Sequence, residues 1–328
     1  MDRNTNKDIW LVVVNVFAAS RKAGSVWKRA AVMMDQAGLK YKAKFTGGED
    51  NAIAISRKAA AKGYRKFVAV GGDGTVHDVL NGIAEYVYDS ECSALSDFTL
   101  AVLPVGSGND WVKSTGVSGD LHDAVGVLAQ GYTGLQDVVK VSVLDPCDID
   151  SRPLGVSFMA NVGGVGLDAR VCEIVNRKKE QGKRGKKLYV SALLYCIRHR
   201  VPIRAKVVCD GVEVFSGKYL SIAFGVGKYS GGGMRQTPLA ELGDGLLDVT
   251  VIPDIPIWTI AKEVPRLFTG TFHKVEVLTQ AKCREVLVLP AGEADAEPAE
   301  VDGEVIGRAP VRMEVLPEQI NVVMKDPR

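Results

Sequence analysis

Strand and helix patterns alternate through the first third of the chain. A compact β-branched run at residues 9–15 predicts a strand that is buried on both faces. Apolar residues at helical spacing follow in residues 26–37. Further strands are expected at residues 41–45, 66–70 and 98–103, with helices at residues 50–62 and 76–86. Repeated alternation of this kind favours a parallel sheet covered by helices, so this part predicts an α/β domain.

After about residue 138 short β patterns dominate, separated by Gly, Pro and Asp-Gly turns. This pattern predicts a β-sandwich-like second domain, so we expect domains at residues 1–138 and 139–310. An acidic stretch at residues 293–300 is expected to be a solvated loop, and helices are expected at residues 188–199 and 257–267. The predicted strands span residues 138–143, 202–209, 219–224, 246–252, 275–278, 285–289 and 311–316.

Composition excludes several classes of protein. With 328 residues and 46% hydrophobic side chains, the chain can bury a large core and is not disordered. A net charge of +2 argues against a nucleic-acid binder. Six cysteines without a C-x-x-C pair, and four histidines, argue against a zinc site and indicate reduced thiols in a cytoplasmic protein. No apolar stretch approaches the ~20 residues of a membrane span, so any membrane contact is expected to be peripheral.

The strongest chemical signal directly follows the strand expected at residues 66–70. Glycines there let backbone N–H groups approach an anion, and the start of the next helix adds partial positive charge. Asp73 suits a divalent cation that bridges phosphates. The alternative is a structural turn that Asp73 caps. We favour phosphate binding by the loop Gly71, Gly72, Asp73, Gly74 and Thr75.

A second glycine-rich turn, Pro-Val-Gly-Ser-Gly-Asn-Asp at residues 104–110, follows the next strand. Ligands bind at the carboxyl ends of parallel strands, so both turns are expected to face one crevice. Gly106, Ser107 and Asn109 are candidates for phosphate or ribose contacts, and Asp110 for orienting a metal-bound water. A capped turn is the alternative. The P-loop and dinucleotide fingerprints are absent from the sequence.

Several ordered motifs resemble the diacylglycerol kinase catalytic-domain family, which includes bacterial soluble diacylglycerol kinases and the sphingosine and ceramide kinases. The resemblance begins with GGDGTVHDVLNGI at residues 71–83 and PVGSGND at residues 104–110. It continues with NVGGVGLDA at residues 161–169, YSGGG at 229–233, DGLLDV at 244–249 and VDGE at 301–304. Similarity therefore extends over nearly the whole chain.

The resemblance implies a Rossmann-like first domain, similar to phosphofructokinases and NAD kinases, with residues 311–328 returning to it. It implies a nucleotide between this domain and the β-sandwich-like domain, and phosphorylation of a lipid hydroxyl with ATP and Mg²⁺. Diacylglycerol is the acceptor we favour, and a sphingoid base or ceramide is the alternative. An NAD kinase and an inactive nucleotide-binding regulator are weaker alternatives. The lipid is expected at a membrane surface that the protein visits from the cytoplasm, and a homodimer is left open.

Family positions carry over unevenly. Residues 71–75 and His77 match the nucleotide loop, and Asn15, Thr46 and Ser107 match other nucleotide-contacting positions. The chain departs from the family at Val16, Ala19, Arg21 and Asp78. In family members that resemble sphingosine kinases the base is the Asp of G-G-D-G, which matches Asp73 here. In those that resemble bacterial diacylglycerol kinases it is the Asp of the later D-G motif, which matches Asp244. We favour Asp244 as the base and Asp73 as the organiser of magnesium and phosphates.

A dense basic run lies at residues 177–187. Basic side chains near an anionic bilayer contribute about 1 kcal/mol each, so the run is a candidate for membrane docking. A solvated loop is the equally weighted alternative, and nucleic-acid binding is disfavoured because aromatic residues do not interleave the run. The candidate residues are Arg177, Lys178, Lys179, Lys183, Arg184, Lys186 and Lys187.

Overall fold

The computed structural model describes residues 6–18, 23–48, 50–90, 93–105, 109–181 and 186–327, without the side chains of residues 179, 180, 186 and 187. The chain forms two compact units. The first contains Met1–Val138 and Pro317–Arg328, and the second contains Val139–Leu316. Among the described residues, no helix is long and apolar enough to cross a membrane.

The first unit is an α/β unit around a six-stranded sheet with the strand order β2-β1-β3-β4-β17-β5. All neighbouring strands are parallel except β5, which runs antiparallel to β17. The elements are β1 (Trp10–Val14), α1 (Ala23–Gln36), β2 (Tyr41–Phe45), α2 (Ala52–Ala61), β3 (Lys66–Gly71), α3 (Asp73–Asp89), β4 (Thr99–Pro104), α4 (Asp110–Thr115), α5 (Leu121–Gln130), β5 (Thr133–Gln136) and β17 (Ile320–Val323).

The centre of this sheet is apolar on both faces. All five residues of β1 are buried, and β3 and β4 are buried after their first residue. The helices pack closely, most tightly where α2 meets α3. A Cβ on Gly82 would collide with the Ile53 carbonyl oxygen and would lie 2.7 Å from Ser56 Cβ. Gly82 is therefore required by the approach of two helices.

The second unit is built around an eleven-stranded antiparallel sheet. Its main path is β15-β14-β8-β10-β9-β13-β16-β6-β7, and β11 and β12 branch from β10. The strands are β6 (Val139–Val143), β7 (Gly155–Met159), β8 (Val162–Gly166), β9 (Ile203–Cys209), β10 (Val212–Gly225), β11 (Leu247–Pro253), β12 (Thr279–Cys283), β13 (Glu285–Pro290), β14 (Pro298–Val301), β15 (Glu304–Arg308) and β16 (Val311–Val315). The helices are α6 (Leu167–Glu180), α7 (Lys186–Arg198) and α8 (Ile257–Thr269).

Two apolar clusters stabilise this unit. The larger one fills the sheet, and the smaller satellite cluster lies under the helices, where Leu167, Val171 and Val175 of α6 pack with Ala192 and Cys196 of α7. The two ends of the sheet path approach each other, because a Cβ on Gly307 of β15 would lie 3.0 Å from the Val143 side chain of β6. The sheet therefore encloses its own core.

The predicted fold class is confirmed, an α/β unit followed by an antiparallel β unit. Two local predictions in the second unit are wrong. Residues 275–278 form a turn before β12. The end of the acidic stretch, residues 298–300, belongs to β14. Glu297, just before the strand, pairs with Arg170, and Glu300 in the strand accepts the Gly303 N–H at 2.8 Å. These partners let two carboxylates be buried, one just before the strand and one within it.

The return to the first unit begins at Pro317, and residues 311–316 do not take part in it. Instead β16 pairs with β13 and β6 in the antiparallel sheet, where Val311 and Met313 are buried. Only β17 enters the parallel sheet, between β4 and β5.

Candidate active site

Three polar side chains meet at the carboxyl edge of the first sheet. Asn15 follows β1, Thr46 follows β2 and Thr75 lies just after β3. The Asn15 amide donates to Thr75 Oγ1 at 3.1 Å, and the Thr46 hydroxyl lies 3.5 Å from Asn15 Oδ1. The structure thus brings together three residues that were predicted to contact the nucleotide, although they are up to 60 positions apart.

The first glycine-rich turn is as tight as its sequence suggests. Gly72 is the N-cap of α3 in an extended conformation, and the Thr75 and Val76 N–H groups donate to its carbonyl oxygen. The Thr75 side chain folds back over Gly71, so that any Cβ on Gly71 would collide with Thr75 Oγ1. The turn therefore leaves only backbone at the end of β3 and at the start of a 17-residue helix, where an anion is favoured.

Asp73 connects the two glycine-rich turns. One of its carboxylate oxygens accepts the Asp110 N–H and the other accepts the Trp111 N–H, each at 3.0 Å. Those N–H groups belong to the first turn of α4, where backbone donors have no helical partner. The N-cap of α4, Asn109, has a left-handed conformation with φ of 50° and makes no side-chain capping bond. Asp73 therefore caps α4 from a distant part of the sequence.

The remaining predicted residues of this edge are placed as follows. A Cβ on Gly72 would lie 3.6 Å from Asn109 Oδ1, so the two turns touch. His77 is buried, and its ring lies 3.3 Å from the Asn81 amide, one turn further along α3. Gly74 lies in the first turn of α3, and Gly106 and Ser107 lie outside the described residues.

One family departure lies next to Thr46 at this edge of the sheet. Val16 stands where the family has proline, and its backbone N–H donates to Thr46 Oγ1 at 3.3 Å. Its side chain packs against Gly47, where a Cβ would lie 3.1 Å from Val16 Cγ2. Ala19 and Arg21 lie outside the described residues.

Two carboxylates at this edge, those of Asp73 and Asp110, are the candidates for holding a magnesium ion. Both oxygens of Asp73 hold backbone N–H groups, and the buried Asp110 carboxylate pairs with Lys113. Across the described ranges, no group of three or more His, Cys, Asp or Glu side chains could hold a metal ion. A carboxylate oxygen keeps a second lone pair, and Mg²⁺ in kinases takes one or two carboxylates, several waters and the nucleotide phosphates. These residues therefore fit an ion held mainly by phosphates and water.

Asp244 lies in the second unit, in the turn before β11. Its Oδ1 accepts the Leu246 N–H at 3.0 Å, and its Oδ2 lies 2.9 Å from Lys282 Nζ. Lys282 also pairs with Asp248 at 3.3 Å. Burial lowers the pKa of Lys282, but the two carboxylates outweigh burial and raise the pKa overall. Asp244 is thus both a turn residue and half of an ion pair.

Other family-like motifs meet inside the second unit. Both oxygens of Asp302 accept backbone N–H groups, from Ala160 and Asn161, at 2.9 Å each. The Asn161 amide donates to the Tyr229 carbonyl oxygen at 2.7 Å. Asp302 itself has a left-handed conformation with φ of 53°. The three motifs around residues 161, 229 and 302 are therefore one hydrogen-bonded cluster.

Two acids beside this cluster, the half-buried Asp168 and the buried Glu300, were missed as site candidates. Asp168 accepts hydrogen bonds from Ser221 Oγ at 2.6 Å and Gln236 Nε2 at 2.7 Å, and burial raises its pKa. Burial, and then the neighbouring Asp168 carboxyl, hold the pKa of Glu300 well above its usual range. Asp168 is the aspartate of the motif at residues 161–169, so the sequence could have identified it as a candidate. Glu300 lies in a stretch that was expected to be a loop, so no such signal in the sequence marked it.

The basic run is partly described. Arg177 and Lys178 lie in the last turns of α6, and Arg177 pairs with Glu173 at 3.8 Å. Lys179, Lys186 and Lys187 lie in helices, but their side chains are not described, and Lys183 and Arg184 lie outside the described residues. The described part of the run is helical.

Comparison with known proteins identifies two family domains. Residues 9–141 match the diacylglycerol kinase catalytic domain. Residues 161–324 match the YegS C-terminal NAD kinase beta sandwich-like domain. A protein of Stenotrophomonas maltophilia named "probable lipid kinase YegS-like" is 27% identical over 290 residues, 87% of each chain. A diacylglycerol kinase of Mycobacterium tuberculosis is 24% identical over 278 residues, which cover 84% of this chain and 82% of that protein.

Solved structures agree with the fold. The crystal structure of a diacylglycerol kinase from Bacillus anthracis superimposes with a TM-score of 0.71 at 18% identity, covering 98% of this chain and 99% of the other. This likeness shows the shared architecture of both units. The two domain models, the named relatives and the joined glycine-rich turns lead to one conclusion: the chain belongs to the diacylglycerol kinase-like family of lipid kinases.

Proposed function

We propose that this protein transfers the terminal phosphoryl group of ATP to the hydroxyl of diacylglycerol and so makes phosphatidic acid. The observation that carries the proposal is the pair of hydrogen bonds by which Asp73, in the first glycine-rich turn, holds the N–H groups that follow the second. It joins the start of α3 and the start of α4 at the sheet edge that also holds Asn15, Thr46 and Thr75. Such an edge suits a nucleotide.

Phosphoryl transfer depends on positioning and on neutralising charge. The backbone donors of residues 71–75 and the start of α3 are suited to hold phosphate oxygens, and Asn15, Thr46, His77, Gly106, Ser107 and Asn109 are the further nucleotide candidates. Asp73 and Asp110 would hold the water shell of Mg²⁺, which when bound neutralises the charge of the phosphates. Asp73 thereby acts as an organiser, because its oxygens hold backbone N–H groups.

We assign the base to Asp244. The base must reach the proton of the lipid hydroxyl, and the Lys282 ammonium 2.9 Å from Asp244 Oδ2 helps to hold the carboxylate in place. The Leu246 N–H at 3.0 Å holds the carboxylate in a defined direction. A role confined to the turn before β11 is the competing explanation, and it predicts a different result for the substitutions in the Discussion.

Diacylglycerol is the acceptor we favour because relatives over most of the chain are named diacylglycerol kinase. A lipid acceptor lies in a bilayer, so the enzyme would work from the cytoplasm at the membrane surface. The basic residues 177–187 would attract anionic lipid, with Arg177 and Lys178 presented by the end of α6.

The direct test uses labelled ATP with diacylglycerol, sphingosine, ceramide or NAD, followed by chromatography of the products. We expect labelled phosphatidic acid. A sphingoid phosphate, a ceramide phosphate or phosphorylated NAD would replace the proposed acceptor, and the absence of any labelled product would leave a nucleotide-binding regulator.

A matched pair of variants ties the product to this chain. Thr75→Val removes the buried hydroxyl that Asn15 contacts and should raise KM for ATP about tenfold. Thr133→Val changes an exposed threonine of β5 in the same unit and should leave KM unchanged. Equal behaviour of the two variants would show that the polar group at the sheet edge does not bind the nucleotide.

A further inference from the structure

Helix α8 in the second unit presents apolar side chains to the outside. Ile257, Ala261, Val264 and Phe268 are spaced by four, three and four residues, so they lie on one face. Their exposure is high, 41% for Ile257, 37% for Val264 and 53% for Phe268, and no residue of the helix is buried. A helix of a globular protein normally turns such a face towards the core. We call these four residues the outward face.

Trp258 lies at one edge of the outward face and is 80% exposed. The other three tryptophans, Trp10, Trp27 and Trp111, are at most 8% exposed. An indole ring has an apolar body and a polar N–H, and tryptophan is therefore enriched where a protein meets the headgroups of a bilayer. The exposure of this one tryptophan is costly in water and indicates a surface that is covered during function.

The flank of α8 beside the outward face holds the helix in place. Ile260 packs against the satellite cluster, and the Arg235 N–H donates to the Leu267 carbonyl oxygen at 2.7 Å. Glu263 and Arg266 form an ion pair at 2.7 Å on the polar side. Because the helix is attached along this flank, the outward face keeps its direction.

Two exposed basic side chains lie on α8 and at the end of α7, the helix that Arg200 connects to the start of α8. Lys262 of α8 is exposed next to the edge of the outward face, and Arg198 is exposed at the end of α7. Arg200 joins α7 to the start of α8, because it pairs with Asp254 at 3.4 Å and donates to the Ile255 carbonyl oxygen at 3.1 Å. An apolar face with tryptophan at one edge and basic side chains beside it is complementary to an anionic bilayer.

We infer that α8 is a membrane-insertion element, which places Trp258 and the outward face among the headgroups of an anionic bilayer. The inference rests on the proposed function, because a lipid acceptor requires an enzyme that stays at the bilayer. It assigns the insertion to α8, whereas the basic run at residues 177–187 can supply only electrostatic attraction. The bilayer is favoured over a second copy of the chain because the basic neighbours would repel their own copies.

The first experiment uses the full chain and vesicles of phosphatidylcholine, alone or mixed with phosphatidylglycerol. Trp258 is the exposed tryptophan, so the anionic vesicles should shift tryptophan emission to the blue and protect it from acrylamide. Trp258→Phe should keep vesicle binding and lose most of the spectral change. A full spectral change in Trp258→Phe would overturn the inference.

Sedimentation with the same vesicles measures binding. Trp258→Ser and Phe268→Ser should each weaken it about tenfold, which corresponds to about 1.4 kcal/mol. The matched control is Leu154→Ser, which changes a leucine that is 67% exposed elsewhere in the second unit and should bind like the parent protein. Unchanged binding in both α8 variants would overturn the inference. The inference would also be overturned if Trp258 were protected from acrylamide without vesicles, in a dimer that the Trp258→Ser substitution dissociates.

An activity measurement separates this inference from the proposed function. Trp258→Ser should lose activity on long-chain diacylglycerol in vesicles and keep activity on a dispersed short-chain diacylglycerol. If the parent protein binds vesicles through Trp258 and phosphorylates no lipid, the proposed function fails and the insertion element stands. If it phosphorylates lipid while both α8 variants bind vesicles normally, the insertion element alone fails.

Discussion

The carboxylate of Asp73 and the backbone N–H of Trp111 lie 3.0 Å apart, across 37 intervening residues. This contact and the equivalent one to the Asp110 N–H attach the first turn of α4 to the first turn of α3. One side chain thus sets the relative position of the two glycine-rich turns. Asp73 would therefore affect both the stability of the first unit and its binding of nucleotide.

Asp73→Asn should be destabilising and inactive. The amide can accept one of the two backbone N–H groups, but it turns an NH₂ group towards the other and loses the negative charge. We expect unfolding free energy to fall by about 2 kcal/mol, as for hydrogen bonds to a charged group. Urea denaturation measures this change. Asp123→Asn, an exposed acid in the first turn of α5, is the control and should stay within about 0.5 kcal/mol. Equal stability of the two variants would contradict the capping role of Asp73.

Two substitutions distinguish the proposed role of Asp244 as the base from its role in the ion pair with Lys282. Asp244→Asn retains an oxygen for the Leu246 N–H and removes the carboxylate, so turnover should fall about a hundredfold or more while ATP binding stays nearly intact. Lys282→Met removes the ion pairs and retains the carboxylate, so turnover should fall only a few-fold, by about 1 kcal/mol in barrier. Steady-state kinetics provide both values. Near-normal turnover in Asp244→Asn, or an equal loss in both variants, would leave Asp244 with a structural role only.

Helix packing in the first unit makes opposite predictions for two glycines. Gly82→Ala places a Cβ against the Ile53 carbonyl oxygen, so α2 and α3 must separate, at a cost of about 1–3 kcal/mol. Gly126 lies inside α5, where a Cβ would meet nothing within 4 Å. Gly126→Ala should therefore stabilise the protein by up to about 1 kcal/mol through helix propensity. Thermal denaturation of both variants measures the difference, and a neutral Gly82→Ala would show that the helices can move apart freely.

The buried Glu300 should make stability depend on pH. Its pKa is raised in the folded protein, so between the ordinary and the raised pKa the folded state binds more protons than the unfolded state. Stability is then greatest below the ordinary pKa and is lost as pH rises through the raised value. Glu300→Gln keeps an oxygen for the Gly303 N–H and removes the titration. Relative to the parent protein, its stability should rise by up to about 1.4 kcal/mol per pH unit inside that window.

The measurement is a series of urea unfolding curves of both proteins from acidic to neutral pH. Asp168, Asp302 and Glu304, which also raise the pKa of Glu300, are present in both proteins, so the difference isolates residue 300. A difference that stays constant with pH would mean that Glu300 titrates in the ordinary range.

Sequence patterns predicted the elements whose determinants are local. The strand at residues 41–45 has the bounds of β2, and the glycine-rich turn at residues 71–75 lies between a strand and a helix as expected. Long-range partners explain what was missed. Glu297, the residue just before β14, can be buried because it pairs with Arg170, which lies 127 residues earlier in the sequence. Strand β8 was missed because the glycines of its sequence, VGGVG, lower strand propensity. The same glycines allow close packing, since a Cβ on Gly163 would lie 2.6 Å from the Glu300 carbonyl oxygen. Neither relationship can be read from a local window.

The position of β17 sets the order in which the protein can be completed during synthesis. Val322 pairs with Leu100 of β4 on one side and with Gly134 of β5 on the other, so the parallel sheet has a gap until residues 320–323 emerge from the ribosome. By then the entire second unit has been translated. The first unit therefore cannot finish folding first, although it comes first in the sequence, and a nascent chain would become a competent kinase only after both units are made.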